Sequence, residues 1–142
     1  MTLHRRIEWG GTNESPAQDV SLNAGIVVHW NGPPMGAYKS TDVPALIANT
    51  YNFHVNTNGW ADIAYNFSID RYGEVWEGRG ANKRNAASGD SYANANYTAV
   101  EFLMGEGDVF SDLAKRALVD FYRDYVNNGG SPKILGHRNV VA

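Results

Sequence analysis

Four histidines and no cysteine restrict the reactive side chains of this 142-residue sequence to imidazole, carboxylate, hydroxyl, phenol and amine groups. Two of the histidines share one kind of setting. His29 closes the β-branched run Gly25-Ile26-Val27-Val28 and precedes a loop containing Gly32-Pro33-Pro34; His137 closes the short run from Lys133 to Gly136. The carboxyl ends of strands in α/β sheets are where sites form. Either histidine alone is ordinary, structural or exposed. Two emerging from strand ends point to a shared metal site, and catalytic zinc takes three protein ligands while leaving a fourth position open for water. Tyr65, within Trp60-Ala61-Asp62-Ile63-Ala64-Tyr65-Asn66-Phe67, is by residue type a sheet-packing aromatic. Beside a metal, its phenol would steady a developing oxyanion by hydrogen bonding. His54 falls on an apolar helical stripe and reads as a hydrogen-bonded core residue, whereas His4 reads as exposed. Glu77 and Arg79 read as a structural ion pair at a loop entrance, ahead of a catalytic role for the carboxylate. Trp30, Trp60 and Trp76 are candidates for a sugar-binding groove, against the commoner role of filling a core.

The elements that must carry these residues can be read from periodicity. Residues 1–24 lack a clear period and read as an irregular lead-in. Residues 25–29 read as a buried strand ending in a loop. Over 42–56 the period becomes helical: Val43, Leu46, Ile47, Thr50, Tyr51 and His54 fall on one stripe, with Thr41 or Asp42 to cap it and Pro44 acceptable in the first turn. Two strands follow, Ile63 to Asp70 and Glu74 to Glu77, joined by a hairpin turn at Asp70-Arg71-Tyr72-Gly73. Residues 78–96, rich in Gly, Asn, Ala and Ser, read as a long functional loop. Thr98 to Met104 reads as a strand. Residues 109–127 form the clearest helix, with Phe110, Leu113, Ala114, Ala117, Leu118 and Phe121 on one stripe and Gly129-Gly130 as its stop. Strands alternating with two long helices predict an α/β fold, a single domain with a central mixed β-sheet flanked by helices.

Composition removes several classes of function. The formal charge of −3, with lysine and arginine scattered, offers no field for nucleic acid or an anionic membrane. With no cysteine there is no disulfide, thiolate ligand or cysteine nucleophile. No apolar stretch approaches membrane-spanning length. Met1 to Gly11 carries Arg5, Arg6 and Glu8 and no apolar run, so it does not read as a signal peptide. The expectation is a product made in the cytoplasm that needs separate help to leave it.

Five stretches, in order, resemble the type-2 N-acetylmuramoyl-L-alanine amidases, a family that includes phage lysozyme-type amidases and the peptidoglycan recognition proteins. They are Arg6-Ile7-Glu8-Trp9-Gly10, Val27-Val28-His29, the run from His54 to Phe67, Gly73-Glu74-Val75-Trp76-Glu77-Gly78-Arg79-Gly80, and Gly136-His137-Arg138-Asn139-Val140. The resemblance covers nearly the whole chain and implies an amidase-type domain over residues 1–142. It implies that His29 and His137 bind Zn2+ and that Tyr65 is catalytic, holding the water that zinc activates or stabilising the oxyanion. Trp30, Asn66 and Arg79 are expected to contact substrate. The implied reaction is hydrolysis of the amide between N-acetylmuramic acid and L-alanine in bacterial peptidoglycan, by phage-type release to the wall with a separate wall-binding domain. The alternative is a non-catalytic peptidoglycan-binding domain, because some relatives bind without cutting.

Two departures from the family pattern stand out. The family's third metal ligand, a Cys or Asp, falls about eight residues after the second histidine, and the sequence given ends at Ala142. The expectation is therefore a chain cut short before that ligand and before the Lys or Thr position just ahead of it. The second departure is Ala87, where many relatives carry a groove-lining histidine; it reads as a variation in substrate contacts rather than loss of a ligand.

Overall fold

A computed structural model describes residues 1–139. Six strands form, β1 (Leu3–His4), β2 (Ile26–Trp30), β3 (Phe67–Ile69), β4 (Val75–Glu77), β5 (Thr98–Phe102) and β6 (Ile134–Gly136). They join in one sheet in the order β1-β4-β3-β5-β2-β6. Only β3 and β4 run antiparallel, through the expected turn at Asp70–Gly73; every other pair is parallel. The sheet is therefore mixed, and its centre is the apolar β5, buried on both faces, as parallel strands covered by helices must be.

Three helices cover it. The first, α1 (Val43–Asn52), carries Pro44 in its first turn and continues into a wider π-type turn, Phe53–Thr57. It packs Val43 and Ile47 against Trp9, Tyr38, Ile63, Trp76 and Leu103. Helix α3 (Asp112–Asn127) is capped by Ser111, whose hydroxyl accepts from the Ala114 amide at 3.1 Å. It lays Ala114, Ala117 and Phe121 on the opposite face, over Ile26, Phe67, Ile69, Val75, Val100 and Phe102. The alternation of side chains along each strand thus separates two cores. Among the described residues no helix is long and apolar enough to cross a membrane.

Three expectations need correction. The lead-in is not wholly irregular: Leu3–His4 adds an edge strand to β4, and Arg6–Trp9 makes a tight helical turn. Residues 78–96 are not all loop, because Asp90 caps a short helix, α2 (Ser91–Asn96), through its carboxylate and the Ala93 amide. That helix buries Ala93 against Val27 on the α1 side of the sheet. The first strand of the hairpin is also shorter than its pattern: regular pairing begins at Phe67, and residues 62–66 run as irregular buried backbone.

His4 is not exposed. Its ring stacks on Trp76 with centroids 4.0 Å apart. Nδ1 lies 2.8 Å from Glu8, and Nε2 lies 3.2 Å from Glu74 as an ion-pair contact rather than an aligned hydrogen bond. Burial lowers the imidazole pKa, but the contacts with Glu8 and Glu74 and their negative charges outweigh it and hold the value above the ordinary 6.5. A raised folded-state pKa means that protonation favours the folded protein. The stabilisation is complete below the ordinary value and is lost as pH rises through the raised one. The melting temperature should therefore fall between about pH 6 and pH 8 by more in the wild type than in His4→Gln. Equal slopes for the two proteins would show that the cluster is not coupled to folding.

Candidate active site

The register of the sheet brings the two strand-end histidines together. β6 pairs with β2 so that Gly136 lies opposite Val28. The next residue along each strand is a histidine, so His29 and His137 leave the sheet side by side at its carboxyl edge. His137 opens a tight turn, His137–Asn139, closed by the Gly136 amide donating to the Asn139 side chain at 2.8 Å. The two rings meet nearly edge to face, and their Nδ1 atoms are 2.9 Å apart. Burial, with His137 adding to it, pushes the His29 pKa down to about 4, so its ring is neutral at physiological pH. A hydrogen bond joins the two rings at that distance, one Nδ1 donating and the other accepting.

The fit to zinc follows from this donor set. Zinc–nitrogen bonds of about 2.0–2.1 Å at a tetrahedral angle place two ligand nitrogens roughly 3.4 Å apart. Separating the rings by a few tenths of an ångström would satisfy that. Among the described residues no group of three or more His, Cys, Asp or Glu side chains gathers to hold a metal. The pair accordingly supplies two ligands, and the position expected for a third lies outside the described residues.

The pair opens into a cleft of about 720 Å³, lined also by Tyr65, Ala87, Trp30, Phe102, Phe110 and Arg138. Tyr65 sits with its ring 5.5 Å from that of His29. Burial, with a contribution from the Glu101 carboxyl, raises its pKa above the ordinary phenol value. It stays a protonated hydrogen-bond donor across the physiological range. Trp30 is 53% exposed and leans over Phe110 with centroids 6.1 Å apart, on the α3 side of the strand end. Ala87 also borders the cleft.

Two expected substrate contacts are structural instead. Asn66 is fully buried. Its amide nitrogen donates to the carbonyls of Gly80 (2.9 Å) and Lys83 (2.8 Å), while its oxygen accepts from the Ala99 amide (2.8 Å) and the Asn85 side chain (3.2 Å). That uses its whole hydrogen-bonding capacity. Arg79 is buried too, donating to the carbonyls of Ile63, Arg84 and Asp62. Nor does Arg79 pair with Glu77, whose carboxylate accepts from the Arg6 amide and lies 3.7 Å from Arg5. Trp76 belongs to the core, its indole N–H donating to Asp70. Trp60 is part-exposed beside His54, and His54 accepts the Ala64 amide at Nδ1, the core role its stripe predicts.

These buried groups place Tyr65. Its own carbonyl accepts the Arg79 amide, and the Asn66 carbonyl accepts the amides of Gly78 and Gly80. Gly78 has no space for a side chain because the Tyr65 carbonyl passes against it. Asp62 anchors the start of the segment, accepting from Arg6 (2.6 Å), Ser15 (2.5 Å) and the Ile63 amide (2.8 Å).

Glu101 is the residue that patterning passes over. It lies in the apolar run Thr98 to Met104, opposite His29 across β2 and opposite Ser68 across β3. Burial pushes its pKa up to about 8 against the small opposing effect of Ser68, which donates at 3.3 Å. A lone acid inside an otherwise apolar strand was the signal available.

The family described as N-acetylmuramoyl-L-alanine amidase matches residues 20–142. The chain belongs to that family. Peptidoglycan-recognition protein SC1a of Drosophila melanogaster is 32% identical over 145 residues, covering 96% of this chain and 75% of that protein. Peptidoglycan-recognition protein SC2 of Drosophila simulans is 35% identical over 85 residues, a match covering 58% of this chain and 45% of that relative's length. The solved structure of wild-type Drosophila PGRP-LB superposes with a TM-score of 0.85 at 25% identity, covering 97% of this chain and 83% of that one. The family's sheet-and-helix architecture is thus the one seen here.

Because Asn66 is structural, its removal should act on folding rather than on substrate affinity. Asn66→Ala leaves the Ala99 amide and two carbonyls short of partners, at about 1–3 kcal/mol each. Urea denaturation should show a loss above about 3 kcal/mol. A stable, fully folded Asn66→Ala protein would return this residue to the list of surface contacts.

Proposed function

We propose that this chain is the catalytic unit of a zinc-dependent amidase that hydrolyses the bond between N-acetylmuramic acid and L-alanine in bacterial peptidoglycan. The observation that carries the reading is the convergence of the His29 and His137 Nδ1 atoms at 2.9 Å in a cleft that also contains Tyr65. Membership of the amidase family and the names of its recognition-protein relatives support peptidoglycan as the partner.

A zinc ion held by His29 and His137 would supply Lewis acidity, lowering the pKa of water and polarising a carbonyl. The chain's own residues do the rest. The buried, uncharged His29 keeps one ring nitrogen unprotonated, with a lone pair to offer a metal. Tyr65 keeps its proton and donates a hydrogen bond to the oxygen that gains charge as the amide carbon becomes tetrahedral. Trp30 presents an exposed ring at the cleft's edge against which a sugar face can stack. Val28, Phe102 and Phe110 exclude water from one wall, which strengthens the polar interactions inside.

Recognition without cleavage is the second reading, favoured by the names of the relatives, which are peptidoglycan-recognition proteins. One assay separates the two. Purified peptidoglycan is incubated with the protein, with and without a chelator, and free stem peptides are measured. Stem-peptide release abolished by the chelator is the expected result. Tyr65→Phe should lower turnover about 100-fold, the effect typical of losing one oxyanion donor, with sedimentation onto peptidoglycan unchanged. Sedimentation without stem-peptide release would establish the binding reading, and cleavage of glycan chains would reject amidase chemistry.

A further inference from the structure

Arg138 takes no part in holding a metal or steadying an oxyanion, yet it lines the cleft and is exposed there. Of the described residues around the cleft it is the only one with a permanent charge. Among the described residues no carboxylate lies within ion-pairing distance of its guanidinium. Its backbone is held all the same. Arg138 is the middle residue of the turn His137–Asn139, which the Gly136 amide closes by donating to the Asn139 side chain. A guanidinium is a planar fork of donors that matches a carboxylate bidentately. Such a fork on a fixed turn, at the side of a largely apolar cleft, is suited to capture that anion.

Strand order decides which part of a substrate meets it. β5, β2 and β6 are consecutive in the sheet. Trp30 on β2 is the register partner of Phe102 on β5 and leans over Phe110, so the aromatic platform spreads towards β5. Arg138 follows β6, on the other side of β2. The His29–His137 pair stands between the two. A molecule cut at that pair therefore has its two halves on opposite flanks. With the sugar against Trp30, the peptide half runs towards Arg138. An extended chain covers about 3.3–3.6 Å per residue, and an extended arginine side chain spans roughly two such residues. We propose that Arg138 binds a carboxylate on the peptide side of the scissile amide, one or two residues beyond it, and so selects acidic stem peptides over amidated ones. The inference rests on the amidase reading and deepens it by naming the charge of the preferred substrate. The contact is made before and during the reaction alike, so it acts on KM and leaves kcat unchanged.

The test uses two synthetic ligands that differ by one charge, N-acetylmuramoyl-L-alanyl-glycine with its free carboxylate and the corresponding glycinamide. Their binding is measured by calorimetry to the wild type, Arg138→Gln and Arg138→Met. A chelator is present, so that no metal can take the carboxylate instead. The wild type should bind the carboxylate about 10-fold more tightly than the amide, the scale of one charge-assisted hydrogen-bonded contact. That preference should shrink as salt is raised. Both variants should bind the two ligands equally, at the wild-type affinity for the amide, and melt at the wild-type temperature. With zinc restored, they should raise KM for the carboxylate ligand and keep kcat. A structural role for Arg138 predicts instead a lower melting temperature and equal weakening of both ligands. A carboxylate preference that persists in either folded variant overturns the proposal, and so does a wild type without one. Should both variants fail to fold, a wild-type preference indifferent to salt overturns it. A wild type that binds neither ligand and cuts no peptidoglycan sinks the amidase reading together with this inference. One that cuts peptidoglycan but binds both ligands equally sinks only the role of Arg138.

Discussion

Residues 62–66 carry irregular backbone through the interior, and that backbone must find hydrogen bonds away from water. An unpaired buried amide or carbonyl costs on the order of 1–3 kcal/mol, so such a path exists only where side chains complete it. Arg79 supplies donors to the carbonyls of Asp62 and Ile63. Asn66 stands in for a missing stretch of ladder, reaching the Ala99 amide on one side and the carbonyls of Gly80 and Lys83 on the other. Arg6 neutralises Asp62 at the entry to the segment, in a pair that is almost wholly removed from water. Breaking such a pair by removing one partner typically costs about 3–5 kcal/mol, which ties the N-terminal turn to the placement of Tyr65 far along the chain.

That arrangement explains why the polar residues of the family-like stretches cluster in the interior rather than on the cleft wall. Five residues share one row across the sheet: His4, Trp76, Ser68, Glu101 and His29, each the register partner of the next. The row is mostly polar and lies on the α1 side, while the opposite side is mainly apolar under α3. The sheet therefore keeps stability and chemistry on different faces. Its α3 face provides the continuous core, and the α1 face tolerates polar groups because their partners are fixed by strand register rather than by flexible loops.

Much of this was legible in the sequence. The alternation of strand and helix patterns, Pro44 in the first turn of α1, the Asp70–Gly73 turn and the stripe of α3 all follow from local rules, and the structure agrees on each. The two strand-end histidines were legible for the same reason, since a strand's end can be read from its neighbours. What was not legible depended on pairing. Leu3–His4 is too short to show a period, and it becomes a strand only because β4 offers it an edge. Helix α2 is six residues long and is held by the Asp90 cap and by Ala93 packing on Val27. Asn66 and Arg79 look like surface ligands in sequence, because nothing local announces that irregular backbone will need their donors. Glu101 looks like an interruption of an apolar strand until register sets it beside His29.

The cleft itself is shaped by the sheet's two faces meeting at one edge. His29 and Trp30 are consecutive, so their side chains leave β2 in opposite directions. His29 faces the polar row with Tyr65, and Trp30 faces Phe102 and Phe110 at the end of the α3 core. A ligand lying across the strand end would meet the histidine pair on one side and an exposed aromatic platform on the other, with no loop rearrangement needed to join them. The loop carrying Gly32 is held to the loop after β5, because the Glu106 amide donates to the Gly32 carbonyl and Asp108 accepts the amides of Met35, Gly36 and Gly105. Four backbone amides fixed in this way leave the aromatic wall little freedom. The spacing between the reactive pair and the aromatic platform is therefore a property of the sheet, set by two adjacent residues on one strand.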